Sequence, residues 1–179
     1  MKEVTELRGL IDSCPWGRRG WAEFEDVCTA TLTFLLVPPL GIPIIQPRTL
    51  SGTDRRDAIF PNRNFDTGSI WGQLRHELGA RLVLFEFKNY DHEEISKEEV
   101  NQTASYMREP MGRLALVCST KTPNAGAYIK RNTLFSLEKK VILFLNIDHL
   151  KEMLAIKERG DDPSNLIMDL VERFYLQHE

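Results

Sequence analysis

The sequence predicts a mixed α/β domain, a β-sheet flanked by helices in which an antiparallel meander comes first and right-handed crossovers follow. Three observations point there. Apolar residues recur at spacings of three and four from Trp21 to about Leu36, residues 82–88 (LVLFEFK) form a dense run of leucine, valine and phenylalanine, and helical and strand-like segments alternate after it. Repeats, low-complexity tracts and long linkers do not interrupt the 179 residues, so 1–179 reads as one domain.

The first helix carries Trp21, Phe24, Cys28, Leu32 and Leu35 on one stripe and stops at Pro38 and Pro39. Ile42–Gln46 and Arg55–Phe60 then read as short strands, punctuated by Gly52 and Pro61-Asn62. Trp71–Leu78 is a short helix or an ordered loop, and Leu82–Lys88 is the clearest strand. Ile95–Arg108 is helical, with Ser96 as N-cap, Glu99 closing a capping box and Pro110 beyond its end. A strand at Leu114–Cys118, a helix at 125–138 and an apolar strand at Val141–Leu145 follow. Two helices close the chain at about 148–158 and 164–177, capped by Asp148 and Ser164 and separated by Gly160 and Pro163. The core order is αβββαβ over about 20–145, with C-terminal additions.

Composition excludes several classes. With 23 Lys plus Arg, 26 Asp plus Glu and 42% hydrophobic residues, the chain is globular and long enough to bury a core without disulfide or metal staples. Cys14, Cys28 and Cys118 form no CxxC or zinc-finger spacing, and their odd number fits a reducing, cytoplasmic setting. The apolar runs fall short of the ~20 residues a membrane span needs, and MKEVTELRGL lacks the apolar core of a secretory signal. A net charge of −3 argues against non-specific coating of nucleic acid. The charge is nonetheless segregated: +2 over residues 48–63, −4 over 91–99 and +4 over 121–140.

Chemistry concentrates in the clearest strand. Alternation places Leu82, Leu84, Glu86 and Lys88 on one face and Val83, Phe85 and Phe87 on the other. A carboxylate and an ammonium therefore stand side by side, either as an ion pair at a strand end or as part of a site. Asp57 lies one strand upstream in otherwise apolar surroundings. Two strands that converge Asp57 and Glu86 would force one carboxyl to take up a proton unless a cation bridges them. All-oxygen ligands favour Mg²⁺ or Mn²⁺ over zinc. On the first helix Glu25 falls about 40° from Trp21, at the edge of the buried stripe, whereas Glu23 and Asp26 fall at about 200° and 140° and face away. Gln102 and Tyr106, four residues apart, share one face of the later helix beside Val100, Ala104 and Met107.

Taken together, Asp57, Glu86-Phe87-Lys88, GWAEFEDV around Glu25, and Gln102 with Tyr106 resemble the PD-(D/E)XK, or restriction-endonuclease-like, nuclease superfamily over about residues 20–120. The order of an acid ending one strand, (D/E)-x-K on the next, a helix acid before them and Q-xxx-Y after them carries the resemblance. Departures are Arg56 where the motif has Pro, Asp54 as a competing strand acid, and an insert of about 20 residues before the Glu86 strand. Within that insert Asp66 and His76 are candidate additions to the site, and Trp71 reads as a folding residue.

The resemblance implies a metal-dependent endonuclease acting on DNA, in restriction or phage defence. Asp57 and Glu86 would hold Mg²⁺, with the Phe87 carbonyl and Glu25 as further ligands. Lys88 would orient or help deprotonate the attacking water, and Gln102 would hold Lys88 or a phosphate. Tyr106 and, from the basic windows, Arg55, Arg63, Lys121, Lys130 and Arg131 are the expected nucleic-acid contacts. Arg56, on the opposite strand face from Arg55, would serve packing or a distal phosphate. Cutting both strands of a duplex with one site per chain calls for a homodimer, and the stripe Leu166, Ile167, Leu170 and Phe174 is either its interface or core. Two other readings stay open: a catalytically silent relative that binds nucleic acid or a protein partner, and an unrelated α/β domain in which E-x-K is a structural ion pair.

Overall fold

The computed structural model describes residues 2–49 and 55–178. Asp54, the competing strand acid, lies outside them. In chain order the elements are α1 (Lys2–Ser13), α2 (Trp21–Leu36), β1 (Ile44–Ile45), β2 (Ala58–Pro61), α3 (Ile70–Leu78), β3 (Leu82–Lys88), α4 (Lys97–Tyr106), β4 (Leu114–Ser119), α5 (Ala125–Glu138), β5 (Val141–Asn146), α6 (Ile147–Glu158) and α7 (Ser164–Gln177).

The strands form one five-stranded mixed sheet in the order β1-β2-β3-β4-β5. β1 to β3 pair antiparallel, and β3, β4 and β5 pair parallel. Parallel neighbours need crossovers, and α4 and α5 supply them. Because the parallel strands are covered on both faces, they read as nearly continuous apolar runs. Val83, Phe85 and Phe87 of β3 join the core beneath α1, α2, α6 and α7. Leu84, on the other face, packs with Val100 and Ala104 of α4 and Ala127 and Leu134 of α5.

Several boundaries depart from the sequence reading. β2 begins at Ala58 rather than Arg55, because the Asp57 carboxylate takes the Phe87 N–H that a longer strand would have paired by backbone. β1 shrinks to two exposed residues, ended by Gln46 in the left-handed region at φ 49°. α1 had no counterpart in the sequence reading. It buries Val4, Leu7 and Ile11 on one stripe. The cap of α6 is Asn146, not Asp148, and it closes a capping box with His149. Ser164 does not cap α7; its hydroxyl instead accepts the Trp71 indole N–H at 2.8 Å. Trp71 is fully buried, and the α7 stripe of Leu166, Ile167 and Phe174 is spent on the core. Cys14, Cys28 and Cys118 are free and buried. Among the described residues no helix is long and apolar enough to cross a membrane.

Candidate active site

The site forms where β2 begins and β3 ends. Ala58 opposite Phe85 sets the register, so the preceding residue, Asp57, meets Glu86. The Asp57 Oδ2 accepts the Phe87 N–H at 2.8 Å, and the Asp57 N–H reaches Glu86 Oε1 at 3.5 Å. Two carboxylates are thus pinned side by side by backbone, one of them only 2% exposed. Lys88 follows Glu86 on the same face, and its ammonium lies 3.7 Å from Glu86 Oε2.

Helix α4 fixes the lysine from above. Lys88 Nζ donates to Gln102 Oε1 at 3.0 Å, and Gln102 Nε2 donates to the Tyr106 hydroxyl at 3.0 Å. The amide is therefore oriented from both ends. Tyr106 is itself buried, its carbonyl accepting from Arg56 Nε and Nη2 at 3.3 and 3.2 Å. Tyr106 and Arg56 form a packed post behind Gln102, and the expected nucleic-acid contact at Tyr106 is corrected accordingly.

Glu25 reaches the same corner from α2. It is buried, accepts from Gln46 Nε2 at 2.8 Å, and lies 4.0 Å from Arg55 Nη2. Gln46 entered by a route the sequence reading missed. Its turned backbone donates to the Asp57 carbonyl at 2.8 Å, which aims its side chain at Glu25. No spacing signal marks such a residue, because its position depends on antiparallel pairing of an exposed two-residue strand.

Burial raises all three acids. Glu86 is pushed up to about 8 by desolvation, with the Asp57 charge adding to it and Lys88 opposing. Desolvation also raises Asp57, partly offset by the Phe87 N–H and by Lys88. Glu25 is raised by desolvation and the Asp57 charge, against the Gln46 amide and Arg55. Desolvation is the largest cause at each acid, and the neighbouring cations only partly oppose it.

Among the described residues no three His, Cys, Asp or Glu side chains converge as a ready metal cluster. The donor set that is present still fits a hard cation. Mg²⁺ is commonly held by one or two carboxylates and keeps several waters, and the buried Glu86 stands beside the half-buried Asp57, both raised by desolvation. The Phe87 C=O leaves its strand on the same edge as the N–H that Asp57 accepts. Glu25 stands behind this pair, tied to Gln46 and Arg55.

The rim is aromatic and basic. Trp21 is 52% exposed, with the Arg55 guanidinium 5.9 Å from its ring centroid, and Trp16 is 57% exposed, with Lys121 Nζ 5.1 Å from its own. Trp21 therefore leaves the buried stripe in which the helical spacing had placed it. The turn bearing Trp16 is held at the end of β3 by Asn89, which accepts from the Gly17 N–H and donates to the Pro15 carbonyl, both at 2.9 Å. Gly20 permits this approach, since a Cβ there would sit 1.9 Å from the Pro15 oxygen.

The other expected contacts lie elsewhere. Arg63 is exposed beyond the opposite end of β2, Lys130 is half-buried in mid-α5, and Arg131 is 7% exposed among aromatic rings. Neither Arg63 nor Arg131 stands on this rim. Asp66 and His76 also lie away from it: Asp66 accepts the Gly68 N–H in the turn before α3, and His76 is exposed on α3. No family model, curated protein or solved structure matches this chain.

Proposed function

We propose that this chain is a Mg²⁺-dependent endonuclease of the PD-(D/E)XK kind, with Mn²⁺ as a substitute, hydrolysing phosphodiester bonds in DNA. The observation that carries the reading is the convergence of Asp57, Glu86 and Lys88 at one strand end, with Lys88 held by Gln102 at 3.0 Å. The order of an antiparallel meander, a helix and a parallel strand agrees with the αβββαβ core that this superfamily would require.

Asp57, Glu86 and the Phe87 carbonyl would hold the ion. Bound there, it would supply positive charge against the scissile phosphate and lower the pKa of a coordinated water. Lys88 would hold the attacking water and share the phosphate's charge, because an ammonium is a compact point charge with three donors. Gln102 accepts from Lys88 while the ammonium stays beside Glu86, and so helps set where the ammonium points. Arg55, Lys121 and the exposed faces of Trp16 and Trp21 would receive the nucleic-acid backbone and unpaired bases.

The test incubates supercoiled plasmid, linear single-stranded DNA and RNA with wild type, Glu86→Ala and Lys88→Ala in EDTA, Mg²⁺ or Mn²⁺. Metal-dependent nicking of the plasmid that both variants lose by at least about a hundredfold is the expected result. Inert wild type that binds Mn²⁺ through Glu86 would favour a silent binding module. Absence of both cleavage and Mn²⁺ binding would reduce E-x-K to a structural ion pair.

A further inference from the structure

A cavity of about 250 Å³ opens at the β5 edge of the sheet, between α5, the start of α6 and α7. In the strand order β5 lies two places from β3, so this cavity is separate from the Asp57 site. Its inner wall is Arg131. A guanidinium stays charged at any ordinary pH, and a buried charge is destabilising unless paired and hydrogen-bonded. Arg131 is 7% exposed, yet its Nε, shielded from solvent, has no hydrogen-bond partner, and no carboxylate among the described residues forms an ion pair with it. It faces rings instead: Tyr128 at 5.0 Å, Phe144 at 5.3 Å and Phe174 at 4.7 Å.

Ring faces offset only part of the desolvation of such a cation. What the cavity adds is a second guanidinium, Arg173, on its open side, together with the His149 imidazole and the Gln177 amide. Burial lowers the His149 imidazole, opposed by Glu152 and Asp148 of α6 and reinforced by the Arg173 charge. Two forked guanidinium groups with imidazole and amide donors around a small polar space form a receptor for a dianionic oxyanion, since planar donor pairs match phosphate oxygens two at a time. The volume falls below the roughly 300–1,000 Å³ of drug-sized pockets and suits a phosphate group rather than a whole large ligand.

We infer that this cavity binds a phosphate group, with Arg131 as its buried anchor and Arg173 as the outer clamp. The phosphate belongs to a free anion, to a 5′-mononucleotide or to the 5′ end of a strand, and the experiment separates these sources. Thermal unfolding and titration calorimetry of the full chain would use inorganic phosphate, pyrophosphate, 5′-mononucleotides, and short oligonucleotides with and without a 5′-phosphate, each against chloride at equal ionic strength.

The expected result is a rise in Tm and saturable binding by at least one phosphate compound, retained in Lys88→Ala, weakened about tenfold or more in Arg173→Ala and lost in Arg131→Met. Discrimination between the phosphorylated and unphosphorylated oligonucleotide would name the strand end, and a response to phosphate alone would name the free anion. Should Arg131→Met not fold, Arg173→Glu, altered at an exposed position, must abolish the shift. The inference is overturned if no phosphate compound exceeds chloride, or if binding survives Arg131→Met or Arg173→Glu. Because Lys88→Ala leaves this cavity intact, its failure and that of the nuclease reading are read independently.

Discussion

Glu86 holds its proton for a reason that makes the site testable without substrate. Its carboxyl is lifted to about 8 by burial beside Asp57, whereas in an unfolded chain it would titrate near 4.3. The folded state therefore binds more protons between those values, and stability is highest below the lower one and falls as pH rises through the upper one. We expect the metal-free Tm to drop between pH 5 and pH 8.5, and Glu86→Gln to flatten that slope. Mn²⁺ affinity should rise over the same range, because ligation requires the ionised carboxylate. Gln102 acts one step further out. It touches Lys88 and not the acids, so Gln102→Ala should lower kcat by about tenfold to a hundredfold and shift the alkaline limb of the pH–rate profile, while Mn²⁺ affinity stays close to wild type. Glu86 and Lys88, and Gln102 with Tyr106, were legible in the sequence because alternation in a strand and i,i+4 spacing in a helix are rigid rules. Gln46 was not, since a positive φ in a residue other than glycine leaves no compositional mark.

Helix α4 shows how an element carries a site. Ser96 caps it reciprocally with Glu99, the serine hydroxyl meeting the first-turn N–H groups while Glu99 accepts the Ser96 N–H at 2.8 Å. Ser96→Ala should cost about 1 kcal/mol, readable as a lower denaturation midpoint with unchanged slope. Because Gln102 lies more than one turn from the cap, kcat should fall far less than in Gln102→Ala. The cap was plain in the sequence, as were β3 and β5, whose apolar runs are long for strands. α1 escaped because Val4, Leu7 and Ile11 are scattered among charged neighbours, and their stripe has meaning only against α2 and α6. At the end of β5 the expected cap, Asp148, lies two residues late: Asn146 ends the strand and caps the next helix at once, so no loop separates the two elements.

Across the whole molecule the sheet divides the helices into two layers, with α1, α2, α6 and α7 on one face and α4 and α5 on the other. The sequence disclosed this order through its meander-then-crossover pattern, but it misjudged charge. A linear window counts Arg131 as a surface cation, and the fold buries it. Burial of a charged residue depends on what packs over it from distant segments, such as Phe174 over Arg131. The tryptophans were sorted in the same way, and their placement gives the protein two separate optical signals. Trp71 is sealed in the core with its indole donating to Ser164, while Trp16 and Trp21 stand more than half exposed at the rim beside Lys121 and Arg55. Iodide should quench only the red-shifted part of the emission, and an oligonucleotide at the rim should shield that part from iodide. The blue-shifted part should move only when denaturant opens the core, so steady-state fluorescence of Trp71→Phe would isolate occupancy of the rim from integrity of the fold.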